Sequence, residues 1–223
     1  QLYQTVDSII VGQYNGKEAL AAIGAAGPIM NILIFLIVGL SLGASILMSE
    51  YFGAKDYKAL KTEMATSLVS GFILTIVLSL LAFTGSGLFI RMTRTPLEIA
   101  PMASQYLKII SLGLIFTFFY NILSAGLRSI GDSRAPLYVL CLTTILHVLL
   151  AVYMVGTLHM GVQGAAYATV ISQAVSSLML FIYIKVKVPY LRLSLPELHI
   201  DMDFLKKTVD FSSISALQQT VLY

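Results

Sequence analysis

Runs of about 20 residues almost free of charge constrain this chain more than any motif in it. They fall at 28–48, 65–90, 104–127, 136–157 and 163–184. Each is long enough for a helix to cross a hydrocarbon core about 30 Å thick. Lipid offers no partner for backbone N–H and C=O groups, so such stretches read as helices, not strands or loops. With the shorter apolar stretches near the two ends, the count is six or seven. The fold class that follows is all-α, a polytopic transmembrane helix bundle.

Charged residues make up 11% of the 223 residues and hydrophobic ones 57%, whereas a soluble domain carries about 25% charged residues. The net charge of +3 comes from loops, so no nucleic-acid partner is expected. Cys141, the only cysteine, rules out a disulfide framework or a thiolate metal site within the chain. It is expected to be an inert packing residue, and no metal or cofactor is expected. The start at Gln1 has no charged n-region followed by an h-region and cleavage site, so no signal peptide is read. The chain reads as beginning partway along one helix and stopping partway along another.

Basic residues sort by loop. Lys55, Lys58 and Lys61 follow the second span; Arg128 and Arg134 follow the fourth; Lys185, Lys187, Arg192, Lys206 and Lys207 follow the sixth. The remaining loops hold only Lys17, Arg91 and Arg94. Positive loops stay cytoplasmic, so the even-numbered loops face inward and the first span runs outward. The segment from Gly53 to Glu63 has the alternation of a surface helix along the cytoplasmic face. Leu191–Asp203, with Pro189 just before it and Pro196 within it, reads as a linker.

Four stretches, taken in order, resemble one family. They are Asp7-Ser8-Ile9-Ile10-Val11-Gly12 with Leu20-Ala21-Ala22-Ile23-Gly24; Gly39-Leu40-Ser41-Leu42-Gly43 with Tyr51-Phe52-Gly53-Ala54-Lys55-Asp56; Gly131-Asp132-Ser133-Arg134-Ala135-Pro136; and Gly161-Val162-Gln163-Gly164-Ala165-Ala166-Tyr167-Ala168-Thr169. Together they resemble the N-terminal lobe of a MATE (multidrug and toxic compound extrusion) transporter. The resemblance implies twelve helices in two six-helix lobes. Residues 1–184 would be the N-lobe, 185–203 a cytoplasmic inter-lobe linker and 204–223 the start of a seventh helix. It also implies a multi-pass inner (plasma) membrane protein that exports amphipathic organic cations in exchange for H⁺ or Na⁺, partnered by a C-terminal lobe. Gln4-Thr5-Val6 recurs as Gln219-Thr220-Val221 where the second lobe should begin, with Leu222 in the place of Asp7.

Within the spans, Asp7 lies about two helical turns, roughly 12 Å, inside the end of the first span near Tyr14-Asn15-Gly16. A carboxylate at such depth is costly, and the family places an acid here for coupling. The alternative is a helix cap for a segment starting at Ser8. His147 falls where relatives usually carry Asn, and Ala151, on the same helix face, where they usually carry an acid. Thr169 keeps the family's hydroxyl. A Na⁺ site wants hard oxygen ligands, and here one carboxylate is gone and an amide has become an imidazole. An Asp–His pair suits proton exchange instead, since His titrates near neutral pH. The expected coupling group is therefore Asp7, His147 and Thr169, with H⁺ preferred to Na⁺.

Asn31, Tyr120, Asn121 and Gln173 are the expected polar lining of a substrate cavity, though each also suits interhelical hydrogen bonding. Gly39 and Gly43 suit close helix packing. No G-x-x-x-x-G-K-[ST], H-E-x-x-H or G-x-S-x-G is present, so neither a phosphate loop nor an enzyme is expected. Two other readings stay open. One is a lipid-linked saccharide flippase of the same superfamily, which would want several cations inside its spans where this chain has only Lys108. The other is a transport-inactive homologue acting as a binding partner.

Overall fold

The computed structural model describes the backbone of residues 2–222 and the side chains of residues 3–212. The recurrence at Gln219-Thr220-Val221, with Leu222, lies outside the described side chains. Six α-helices follow in order: α1 (Leu2–Gly53), α2 (Tyr57–Met92), α3 (Ala100–Ser129), α4 (Arg134–Ala151), α5 (Gly161–Lys187) and α6 (Met202–Leu222). A π-helical turn, Val152–Thr157, extends α4, and two 3₁₀ turns, Pro189–Leu191 and Leu195–Glu197, lie between α5 and α6.

α1 is 52 residues long, which as one rod would reach about 78 Å at 1.5 Å per residue. It is two helices joined at a kink, not one rod. Gly16 breaks it with φ 81° and ψ −169°, a conformation that glycine adopts without a Cβ penalty. The Leu20 side chain lies over Gly12 across this break. The break falls where the first span was expected to end. Among the described residues five helices are long and apolar enough to cross a membrane, and the segment before Gly16 is the shorter piece expected for the first span.

Two sequence expectations are corrected. The stretch from Gly53 to Glu63 is not a separate surface helix. Ala54–Asp56 is a turn, with Lys55 at φ 60°, and the Asp56 carboxylate accepts from the Ala59 N–H at 3.0 Å. α2 then runs without a break from Tyr57, because nothing between it and the apolar run interrupts the helix. Cys141 does not pack within the chain; it is exposed, on a helix whose Leu142, Ile145 and Leu149 are also exposed. Apolar side chains left exposed on long apolar helices form a lipid-facing surface.

The helices contribute to two compact units. The first is built from Gln1–Leu33, Val77–Leu114 and Cys141–Val175. Its buried residues include Val11, Ala22, Ala26, Leu107 and Ala165. Small residues here permit close backbone approach: a Cβ on Gly113 would come within 2.6 Å of Val170. The Ser79 hydroxyl donates across to the Ser111 carbonyl at 2.7 Å.

The second unit is built from Ile34–Ile76, Ile115–Leu140 and Ser176–Tyr223, with Met48, Leu60, Met64, Phe118, Ile122 and Leu180 fully buried. A Cβ on Gly71 would collide with the Phe118 ring, and one on Gly43 with Ser212 of α6. The expected packing role of Gly43 is thus a contact between α1 and α6. Asp132 ends the turn before α4, accepting from the Ala135 N–H at 3.1 Å and from the Tyr183 hydroxyl at 2.8 Å.

Elsewhere Ser and Thr hydroxyls bond back to the carbonyl four residues earlier, as Ser41 does to Ile37 and Thr75 to Gly71. Lipid-embedded hydroxyls are satisfied in this way without a second helix.

Candidate functional site

Four helices of the first unit each send one polar side chain to a common point. Asp7 of α1, His147 of α4 and Tyr106 of α3 are essentially inaccessible, and Thr169 of α5 nearly so. The Asp7 Oδ1 lies 3.0 Å from His147 Nε2. Its Oδ2 accepts from the Thr169 hydroxyl at 2.8 Å and from the Tyr106 hydroxyl at 3.2 Å. His147 Nε2 is also 3.0 Å from Thr169 Oγ1. Since the Thr169 hydrogen is directed at Asp7, its oxygen is free to accept, and the tautomer with hydrogen on Nε2 satisfies both contacts.

That tautomer leaves His147 Nδ1 buried and without a hydrogen-bond partner. The imidazole is held on its other side by the Tyr3 ring, with centroids 4.6 Å apart. Tyr3 is in turn anchored by a 2.9 Å bond between its hydroxyl and that of Thr143.

The three residues expected from sequence as a coupling group therefore converge, and Asp7 sits inside a helix rather than capping one. Tyr106 was not anticipated. A tyrosine in an apolar run usually marks a membrane interface or core packing, and only the register of α3 against α1 brings its hydroxyl to the carboxylate. Ala151, one turn beyond His147, is fully buried and followed at once by the π-helical turn. That turn places Gly156 against the Tyr14 ring, 3.0 Å from where a Cβ would stand.

A small cleft of about 110 Å³ opens beside the cluster, lined by Gln4, Ser8, Ile23, Gly24, Gly27 and Tyr106. At about 30 Å³ per water in the liquid it has room for a few waters, and its polar lining suits them.

The comparisons with known proteins give the family. The MatE family model matches residues 1–154. The chain belongs to the MatE family. It is 32% identical over 186 residues to the "Probable multidrug resistance protein YoeA" of Bacillus subtilis, covering 82% of this chain and 40% of that protein. It is 33% identical over 190 residues to the "Probable multidrug resistance protein YpnP" of the same organism, covering 84% and 43%.

A crystal structure of MATE in the bent conformation superposes on 98% of this chain with a TM-score of 0.92 at 28% identity, using 49% of its own length. The chain spans less than half the length of the curated relatives and matches one half of the MATE architecture. MATE proteins are multi-pass plasma-membrane transporters, not enzymes.

The expected substrate-lining residues divide between the two units. In the first unit, Asn31 and Gln173 are half-buried. In the second, Tyr120 donates to the Pro136 carbonyl at 3.3 Å and Asn121 to the Thr117 carbonyl at 2.8 Å. None of the four lines the cleft beside Tyr106. Nor do they line the larger cavity of about 550 Å³ in the second unit, whose wall is apolar except for Lys185 and Arg192.

Glu63 is a second residue that sequence reasoning missed. It is fully buried in the second unit and accepts from Ser67 at 2.7 Å. Its position in the first turns of α2, among charged residues, gave it the look of a surface group.

Proposed function

We propose that this chain is one lobe of a secondary active multidrug exporter, and that Asp7, His147 and Thr169, joined by Tyr106, form its proton-coupling site. The observation that carries the reading is the buried 3.0 Å contact between Asp7 and His147, with two further hydroxyls directed at the same carboxylate. Residues 1–184 would form the N-lobe, 185–203 the inter-lobe linker and 204–223 the start of the seventh helix. A second lobe completes the drug cavity, with Asn31, Tyr120, Asn121 and Gln173 as this lobe's polar contribution.

The chemistry follows from counting hydrogens. An ionised Asp7 accepts three hydrogen bonds. When a proton arrives, the pair holds it either as a carboxylic acid bonded to neutral His147 or as an imidazolium against the carboxylate. In the acid form Oδ1–H donates to His147 Nε2, so the imidazole hydrogen moves to Nδ1 and His147 changes from donor to acceptor, while Thr169 and Tyr106 keep their bonds to Oδ2. Proton binding thereby changes the charge and the direction of the contact that ties α4 to α1. An organic cation favours the ionised carboxylate and a proton neutralises it, so the two ligands compete. Competition of this kind is what antiport by alternating access requires.

Na⁺ fits the site less well. It needs several hard oxygen ligands, whereas the described site offers one carboxylate and two neutral hydroxyls, and the remaining neighbour is an imidazole, a poor ligand for Na⁺. Amphipathic organic cations are the proposed substrates, consistent with relatives named as multidrug resistance proteins. The test is export of a fluorescent organic cation from proteoliposomes under imposed gradients. Export driven by a pH gradient in the absence of Na⁺, and lost in Asp7→Asn, is expected. Export that follows a Na⁺ gradient and ignores pH would refute proton coupling.

A further inference from the structure

Glu63 lies on α2, in the unit that does not contain Asp7. Its side chain is fully buried, and the Ser67 hydroxyl one turn later donates to Oε1 at 2.7 Å. Across from it, Thr208 of α6 is also fully buried, with its hydroxyl oxygen 2.8 Å from the same Glu63 oxygen and 2.9 Å from the Phe204 carbonyl. Glu63 Oε2 is buried and has no hydrogen-bond partner.

Thr208 has one hydroxyl hydrogen and two acceptors in reach. Both contacts are satisfied together when Glu63 itself carries a proton, donated from Oε1 to Thr208 Oγ1, while Thr208 donates to Phe204. The bare Oε2 agrees: a carbonyl oxygen tolerates an apolar surround far better than a carboxylate oxygen does. Lys207 is the described cation whose field reaches Glu63 from α6. It is exposed, with its ammonium 5.9 Å from the Phe204 ring, and forms no ion pair with Glu63.

The contact is one of several that seat α6 on α1 and α2. Ser212 lies against Gly43, the Phe204 ring is 5.5 Å from Tyr51, and the Thr66 hydroxyl accepts from the Asp201 N–H at 3.1 Å. Glu63 is the acid buried at the centre of this seam.

We propose that Glu63, closed over by Thr208 and Ser67, is a second proton-binding site, separate from Asp7, whose protonated form latches α6 onto α2. Loss of the proton puts an unpaired charge into the seam and opens it; closure requires the proton to return. This rests on the alternating-access part of the proposed function, in which α6 begins the second lobe and must part from the first.

The test uses the full chain in nanodiscs, with Cys141→Ser as background and spin labels on cysteines at the exposed positions Lys58 and Lys206. The inter-label distance is followed by pulsed electron paramagnetic resonance from acid to alkaline pH. A single short distance at acid pH that gains a longer component at alkaline pH is expected. Glu63→Gln, neutral at every pH, should lose the longer component, and Thr208→Val should gain it at a lower pH than the parent. Asp7→Asn should lose proton-driven export yet keep the pH-dependent distance change, which separates failure of the latch from failure of the coupling site. A Glu63→Gln distance that responds to pH as the parent does would overturn the proposal. So would Asp7→Asn abolishing the response. Should Glu63→Gln fail to fold, an unshifted Thr208→Val transition overturns it as well.

Discussion

Asp7 is held by donors from three other helices, so its replacement removes more than a charge. Hydrogen bonds to an ionised group contribute about 1.5–3 kcal/mol each. Tyr106→Phe deletes one such bond while keeping the ring that fills the core. It is expected to slow proton-driven export by about tenfold or more, the equivalent of roughly 1.4 kcal/mol, with thermal stability little changed; initial rates in proteoliposomes and a melting curve measure the two. Ala151 calls for the opposite experiment. It is fully buried, and Ala151→Asp, the acid that the family resemblance implies there, places a carboxylate in filled space. A loss of roughly 3 kcal/mol or more is expected from an uncompensated buried charge, read as a lower melting temperature in detergent. Asp7 and His147 were legible in sequence because charged and imidazole groups inside apolar runs stand out, and Thr169 was reached through the family resemblance. Tyr106 and Glu63 were not, since a tyrosine suits many environments and Glu63 sits beside charged loop residues.

At the scale of elements, glycines decide how closely helices lie. Gly71→Ala is expected to destabilise the fold by about 1–3 kcal/mol, since its methyl group would enter the Phe118 ring and the Leu40 side chain; thermal or denaturant unfolding measures this. The linker between α5 and α6 carries its own electrostatic clasp. Glu197 accepts from the Ser194 N–H at 2.6 Å and the Ser194 hydroxyl at 2.7 Å, and Lys61 lies 3.4 Å away. The Ser194 backbone and side-chain bonds, aided by Lys61, hold its carboxyl at about 2, below the ordinary 4.5.

A carboxyl whose value falls on folding contributes order above its unfolded value and loses it as pH drops through its folded one. The clasp should therefore be intact at neutral pH and released between about 4.5 and about 2. A carboxyl NMR titration of labelled Glu197 checks this, and Ser194→Ala should move the midpoint up towards the ordinary range. The surface helix expected from Gly53 to Glu63 was misjudged for an element-scale reason. Alternating polarity near a membrane surface also describes the first turns of a longer helix, and only the turn at Lys55 shows which applies.

For the molecule as a whole, loop charge predicts orientation and the chain can be tested for it. Single cysteines at Lys58 and Arg134 should react with an impermeant maleimide only from the cytoplasmic side, and one at Arg94 only from outside, in a Cys141→Ser background. Cys141→Ser itself is expected to change stability by no more than about 0.5 kcal/mol, the usual range for a surface position, because the thiol is exposed and bonds nothing described. Labels at Lys58 or Arg134 reached from outside would reverse the topology.

Sequence alone determined that the chain is a membrane-spanning helix bundle and which residues inside its spans are chemically unusual, and its loop charges predict which way the spans run. Those properties are local: run length, loop charge and the cost of a polar group in lipid can all be read along one segment. What only tertiary structure decided is who meets whom. The convergence of Asp7, His147, Thr169 and Tyr106, and the closure of Thr208 over Glu63, join residues about 100 or more positions apart. Such meetings depend on the rotation of each helix about its axis. An apolar run in lipid leaves that rotation open, because nearly every face is greasy, until close-packed glycines and interhelical hydrogen bonds set it.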